Sequence, residues 1–296
     1  FNFLFKNNLK NIYVYYINMN MAEYDKFMKS VEDKSTATQK QYRIQYNKLY
    51  KLLDKPVNET SENKILEIVK EQSNVNNQQA LLNIGLVVRK LYGLSVKKLE
   101  DFREKNKKTI TADIKKKNVE LKETLPSYDD LIQYTEILWE SSEWTDYIIN
   151  YLLINYQVRN EDLDFTIIKR KKDANDTTKN YIWLQSGKVT YIRNRYKTDK
   201  TYGKKVNVIT NKQFITAIRR VLGCQDSELK CGIFIPNKSS IAYYIIKATY
   251  KQLGEGKYVK IIINHFRKNL DKLKEISENR GTSLNEILKS YDIDNV

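Results

Sequence analysis

The chain predicts a mainly α fold with a small antiparallel β-sheet, divided between an N-terminal helical bundle and a mixed α/β C-terminal domain. Three observations point there. Apolar residues recur at three- and four-residue spacing through most of the first hundred positions, period-two alternation is confined to about residues 163–209, and a Lys-rich stretch ending in Pro126 interrupts the pattern between them. A chain of 296 residues can build one large core or two smaller ones, and two is the expectation.

In order, the opening FNFLFKNNLKNIYVYYINMN is broken by Lys and Asn and is too polar to span a membrane. Residues 1–21 are expected to be upstream or disordered sequence, with Met19 or Met21 as the true start. From Ser35, Ser/Thr caps precede Tyr42, Tyr46, Leu49, Leu52 and Leu53, an amphipathic helix. ENKILEIVKEQ gives a short helix and NVNNQQALLNIGLVVRKLYG a longer one stopped at Gly93. These form a helical domain over 22–110. Residues 111–126 gain Lys and lose apolar period, which marks a linker, and a helix restarts at Ser127 after Pro126. The second domain, 127–296, opens with helices through WTDYIINYLLINY. Three short strands follow, in LDFTIIKRK, NYIWLQSGKVTYIRNRYK and KKVNVIT. Helices resume from NKQFITAIRRVLG through SSIAYYIIKATYKQLG and VKIIINHFRKNLDKLKEIS to SLNEILKSYDIDNV. No internal repeat and no Gly-rich phosphate loop interrupts this order.

Lys and Arg number 52 against 36 Asp and Glu, a formal net charge of +16. Such an excess attracts a polyanion through counterion release, so nucleic acid is the leading partner; the plain alternative is a solvated Lys-rich surface, which explains the lysines but not the imbalance of sign. Cys224 and Cys231 lack a CxxC partner, and with a single histidine they cannot assemble a conventional zinc site. A reducing compartment and no structural metal follow.

Three constellations carry possible chemistry. In RYKTDKTYGKK, Lys197 lies at a predicted hairpin tip, from which an ammonium can clamp a phosphate or protonate a departing oxygen; a charged edge that discourages strand pairing is the alternative. In NYQVRNEDLDF, Arg159 stands between a helix and a strand with Asp162 three residues on, as half of a salt bridge or as a fork for phosphate oxygens. In INHFRKNLDK, Asn264, His265 and Arg267 are expected to open a helix, whose N-terminus favours anions. His265 suits acid–base work at neutral pH or simple packing.

The ordered set, an Arg after a helix, a Lys on a following hairpin and an Arg on a late helix behind a helical bundle, resembles the tyrosine recombinase (phage integrase) family. YQVRNEDL is similar to its first-arginine box through Arg159 and Asp162, RYKTDKTYGKKVNVI to its lysine hairpin through Lys197, and INHFR to its His-x-x-Arg box through Arg267. The YKT…YG wording is similar to integrase-like proteins of virophages and large DNA viruses. Asn264 stands where the family usually has His, with His265 one place off. Tyr291, the only tyrosine after Arg267, falls before the place expected for the nucleophile. The nucleophile is then Tyr291, a tyrosine past Val296, or absent, and the catalytic domain is expected to be C-terminally incomplete.

The resemblance implies a clamp on duplex DNA, attack of a tyrosine on a backbone phosphate, a 3′-phosphotyrosine intermediate and a free 5′-hydroxyl. It implies Arg159 and Arg267 on the phosphate oxygens, Lys197 as proton donor and Asp162 orienting Arg159. No cofactor, metal or nucleotide is called for. Assembly into a dimer or tetramer on DNA is expected, inside the cell wherever the DNA lies, in a nucleus or viral factory. Other readings are a DNA-binding scaffold or viral DNA-processing factor that has lost the nucleophile, and a type IB topoisomerase.

Overall fold

In the computed structural model of the chain, the described residues are 21–223, Phe234 and 241–291. The opening segment, Cys224, Cys231 and the last residues of the chain lie outside them. The contacts divide the chain into two compact units, one up to Lys116 and one from Lys117 onward.

The N-terminal unit is helical. Helices α1 (Met21–Lys29), α2 (Thr36–Leu53), α3 (Glu62–Lys70) and α4 (Val75–Leu91) follow one another, each but α1 started by a side-chain cap from Ser35, Ser61 or Asn74. Each cap satisfies a backbone N–H that the first helical turn leaves without a partner. Phe27, Tyr46, Leu49, Val57, Ile65 and Val69 form part of its buried core, the apolar stripes that three- and four-residue spacing builds. Helix α5 (Lys97–Thr124) runs unbroken through much of the stretch expected to be a linker. The missing apolar period there means an exposed helical surface, since Ile114 and Val119 stay open to solvent, and not an absence of helix.

In the C-terminal unit, Pro126 ends α5, and Ser127 starts α6 (Tyr128–Glu140) with a capping box in which its hydroxyl and the Asp130 carboxylate each serve the other's backbone. Helix α7 (Trp144–Tyr156) is apolar on nearly all sides and lies at the centre of the larger core with Ile148, Leu152, Phe165, Ile182 and Phe214. The sheet corrects the expected one. It has four strands, β1 (Phe165–Ile168), β2 (Asn180–Leu184), β3 (Val189–Arg193) and β4 (Lys205–Ile209), in the order β1-β2-β3-β4. β1 and β2 are parallel, in register Phe165 to Asn180, and the other two pairings are antiparallel. The sheet is mixed, and the long stretch read as one strand is a hairpin closed by Gln185 N–H to Lys188 C=O at 3.0 Å. Period two identifies strands but not their direction, and Ser186-Gly187 was the turn signal inside the run.

Helices α8 (Lys212–Gly223), α9 (Ile241–Ala248), α10 (Gly254–His265), α11 (Leu270–Arg280) and α12 (Leu284–Ser290) complete the unit. The stretch from Val259 to Ser277, expected to be helical, is divided between α10 and α11, because Asn269 caps α11 through the Lys272 N–H at 3.0 Å. No described helix is long and apolar enough to cross a membrane.

Candidate active site

The polar cluster of the C-terminal unit gathers at the C-terminal end of α11. A helix end leaves its last carbonyls without intrahelical partners and carries partial negative charge, so it draws cationic donors. Three arrive here. Lys205 Nζ, from the start of β4, donates to Glu278 C=O and, at 3.3 Å, to Asn279 C=O. Arg193 Nη1, from the end of β3, donates to Asn279 C=O at 2.9 Å. Arg159 Nη1 donates to Arg280 C=O at 2.5 Å.

Arg159 reaches this place because Gln157, the cap of α7, takes a left-handed conformation (φ 44°) that turns the chain out of the helix. Asp162 lies in the 3-10 turn that follows, Asn160–Leu163, and is almost fully buried. Its carboxylate accepts the Arg159 backbone N–H at 3.0 Å and meets Arg193 Nη1 at 3.4 Å. The expected role is thus altered in its atoms: Asp162 fixes the Arg159 backbone, and its charge partner is Arg193. Burial pushes the Asp162 carboxyl up, while Arg193 and the Arg159 N–H pull it back. Burial, then the charge of Arg280, hold Arg159 below the ordinary arginine value.

Gly281 ends α11 at φ +58°, and a side chain there would come within 2.8 Å of both Thr198 Oγ1 and the Tyr196 ring. This close approach lets Thr198 donate to Gly281 C=O at 2.6 Å. Lys197, between buried Tyr196 and tethered Thr198, is exposed in the β3–β4 connection, just ahead of a one-turn helix at Asp199–Tyr202. The lysine joined to the cluster by hydrogen bonds is Lys205, whose ammonium is pulled down to about 8 by burial and then by Arg193.

Arg280 closes the cluster. Its side chain is buried, with Nη1 donating to Gln157 C=O at 2.9 Å and Nη2 to Glu255 Oε1 at 2.7 Å. Nη2 also lies 3.1 Å from Tyr291 Oη. Tyr291 caps α12 and packs on the Ile262, Ile276 and Ile287 core.

The structure therefore connects Arg159, Asp162 and Tyr291, places Lys197 next to the tethered Thr198, and leaves Asn264, His265 and Arg267 elsewhere. These three close α10 rather than open a helix. Glu255, in the first turn of α10, touches Arg280, whereas His265 lies ten residues on, roughly 15 Å along the helix axis. His265 stacks on Tyr128 at 4.3 Å, and with Asn264 it lines a cavity of about 250 Å³. Arg267 is exposed in the turn before α11. Sequence reading missed Arg193, Lys205, Glu255 and Arg280. Arg193 was detectable, because Val189, Tyr191 and Arg193 share one face of a strand and a charge at such a position needs a buried partner. Arg280 before Gly281 reads only as a basic residue at a helix stop.

Four cationic groups, Arg159, Arg193, Lys205 and Arg280, thus stand against three carboxylates, Asp162, Glu255 and Glu278. Arg159 and Lys205, the half-buried members, are the ones that can meet an incoming anion, with the Tyr291 hydroxyl against Arg280 beside them. Among the described residues, no group of three or more His, Cys, Asp or Glu is placed to hold a metal ion.

No protein-family model and no curated protein matches the chain. Among solved structures it is similar to the crystal structure of XerA recombinase, at 16% identity and a TM-score of 0.38, over 92% of this chain and 93% of that one. At that identity and score the likeness assigns no role to any residue.

Proposed function

We propose that the chain binds duplex DNA and breaks and rejoins its strands by the tyrosine recombinase reaction, with Tyr291 as nucleophile. One observation carries the reading. Arg159, from the box that resembles the family's first-arginine motif, and Tyr291, the last tyrosine of the chain, meet on opposite ends of one residue, Arg280, which lies 121 positions beyond Arg159 in sequence.

In this mechanism Tyr291 Oη attacks the phosphorus, and Arg159 donates to the non-bridging oxygens as charge builds on them. Lys197, on its exposed loop, protonates the departing 5′ oxygen. The phosphodiester energy is kept in a 3′-phosphotyrosine bond until another 5′-hydroxyl attacks it. The helical segment 22–110 serves as the core-binding domain, 111–126 as the joint and 127–296 as the catalytic domain. Integration, and assembly of several copies on DNA, follow from the same resemblance, as does a source among virophage-like or large-virus integrases.

A second reading, a DNA-binding scaffold of the same fold, is favoured by one observation: the box matched to His-x-x-Arg closes α10 at the end away from Glu255 and Arg280. A pool of nicked duplexes, in which the short fragment diffuses away after cleavage, separates the two. The recombinase reading expects a denaturation-resistant protein–DNA adduct that maps to Tyr291 and disappears in Tyr291→Phe. Binding without an adduct would leave the scaffold.

A further inference from the structure

Arg280 belongs to none of the motifs that suggested the reaction, yet its guanidinium is the cation in contact with the Tyr291 oxygen. Resting on the tyrosine-nucleophile reading above, we infer that Arg280 aims Tyr291 at the phosphate and supplies the positive charge its oxygen needs during attack, a role distinct from the phosphate contact expected of Arg267.

The geometry fixes the guanidinium on three sides. Gln157 C=O holds Nη1 at 2.9 Å, and Glu255 Oε1 holds Nη2 at 2.7 Å. Gln157 is itself immobilised, its side chain donating to Ile154 C=O at 2.5 Å and accepting from Asn279 Nδ2 at 3.1 Å. A planar fork held at both ends cannot swing, so the remaining contact, 3.1 Å to Tyr291 Oη, sets where the hydroxyl stands. The guanidinium also lies 5.0 Å from the Tyr291 ring centroid, which restrains the ring as well as the oxygen. Glu255 offsets the cost of burying the charge without taking up every N–H.

The backbone of the same residue performs the second alignment. Arg280 C=O accepts from Arg159 Nη1, so the phosphate-binding arginine and the nucleophile are referenced to one Cα. Arg267, by contrast, is exposed beyond the far end of α10.

The step involves no redox change. The Tyr291 hydroxyl proton passes to water, since a guanidinium cannot accept it. The Oη–P bond forms, the P–O5′ bond breaks, and O5′ takes a proton from Lys197. Negative charge gathers on Oη before the new bond is complete, and a fixed cation in contact with it favours that state over the resting phenol.

Arg280→Lys keeps the charge but cannot serve Gln157, Glu255 and Tyr291 together. With the nicked-duplex pool under single turnover, the rate of adduct formation should fall about a hundredfold, the loss expected for one preorganised donor, while low-salt duplex affinity stays within about twofold. In Arg280→Ala, methylguanidine should restore part of the rate, which a purely structural residue would not allow. Arg267→Ala should lose much less than Arg280→Lys. A rate for Arg280→Lys within about threefold of wild type overturns the inference and leaves the recombinase reading standing. Absence of any wild-type adduct removes that reading instead, and the pairing is then judged by thermal unfolding of Arg280→Lys, Tyr291→Phe and the double variant. Non-additive shifts in Tm support the Arg280–Tyr291 contact, and additive shifts overturn it.

Discussion

In the N-terminal unit the buried carboxylate of Glu23 accepts from Tyr46 Oη at 2.6 Å and from the backbone N–H groups of Val57 and Asn58 at 3.1 and 2.6 Å. The buried guanidinium of Arg89 donates to Ser95 C=O at 2.7 Å and to Thr60 C=O at 2.5 Å. In the C-terminal unit, Asp162, Arg193 and Arg280 are buried just as deeply, and Asp162 Oδ1, Arg193 Nε and Arg280 Nε have no hydrogen-bond partner there, as Arg103 Nε has none in the first unit; what differs is that these charged groups gather at one helix end. A buried polar group ordinarily has its partners, because leaving one unmet costs about 1–3 kcal/mol. In the first unit charge ties loops to helices. In the second, four cations converge on one helix end, with Arg159 and Lys205 only half-buried, the arrangement an anion-binding site would use.

The largest expected effect tests that distinction directly. Arg159→Ala removes a half-buried cation whose side chain donates to a helix-end carbonyl. Adduct formation should fall by at least about a hundredfold, while Tm, followed by circular dichroism, moves little. A large loss of Tm with retained adduct formation would make the cluster structural, like that of the first unit.

Glu23→Ala should do the reverse. It strands one hydroxyl and two backbone N–H groups in the core and should destabilise the N-terminal unit by about 3 kcal/mol. Chemical denaturation of the isolated segment and of the whole chain measures this. If the cost is below about 1 kcal/mol, Glu23 is not the anchor its contacts indicate.

Much of this contrast was legible in advance, and the rest was hidden for identifiable reasons. The helices announced themselves because apolar spacing and caps are local: Ser35, Ser61, Asn74 and Ser127 start helices, and Gly93 takes the left-handed conformation after α4. The direction of β1 against β2 was not legible, because alternation within a strand is the same either way. Nor was the break at Asn269, which lies between the Ile261, Ile262 and Ile263 run of α10 and the amphipathic pattern of α11 with no Gly or Pro to mark it. In the site, Arg159 and Asp162 stood out as a charged pair between a helix and a strand. Glu255, Lys205 and Arg280 did not, since their meaning comes from partners far away in sequence. The helix-end carbonyls that gather the cations are backbone groups, which no residue code displays.

Gly281→Ala sharpens the comparison at smaller amplitude. The added methyl group meets Thr198 Oγ1 and Tyr196 at 2.8 Å in a left-handed backbone conformation, a strain of roughly 2 kcal/mol. Because the displaced atoms flank Lys197, adduct formation should suffer more than stability does. A variant with lowered Tm and an unchanged cleavage rate would separate the Lys197 loop from the site.

The smallest expected effect is the contribution of Lys205 to the dependence of stability on pH. Lys205 has a folded-state value of about 8 against an ordinary 10.5, because burial and then the charge of Arg193 oppose its ammonium. Below about 8 both the folded and unfolded chains carry the proton, and the folded state bears the whole penalty of holding it. Between about 8 and 10.5 the unfolded chain binds more protons than the folded one, so stability rises with pH and the penalty fades. The nitrogen is partly open to water, and screening keeps the total below about 1 kcal/mol. Denaturation midpoints at intervals from pH 7 to 10.5 should therefore show a positive slope in wild type, relative to Lys205→Met, that Glu23→Gln leaves in place. If the two slopes coincide, Lys205 is as well solvated as an ordinary surface lysine, and the C-terminal cluster holds one fewer strained cation than its geometry indicates.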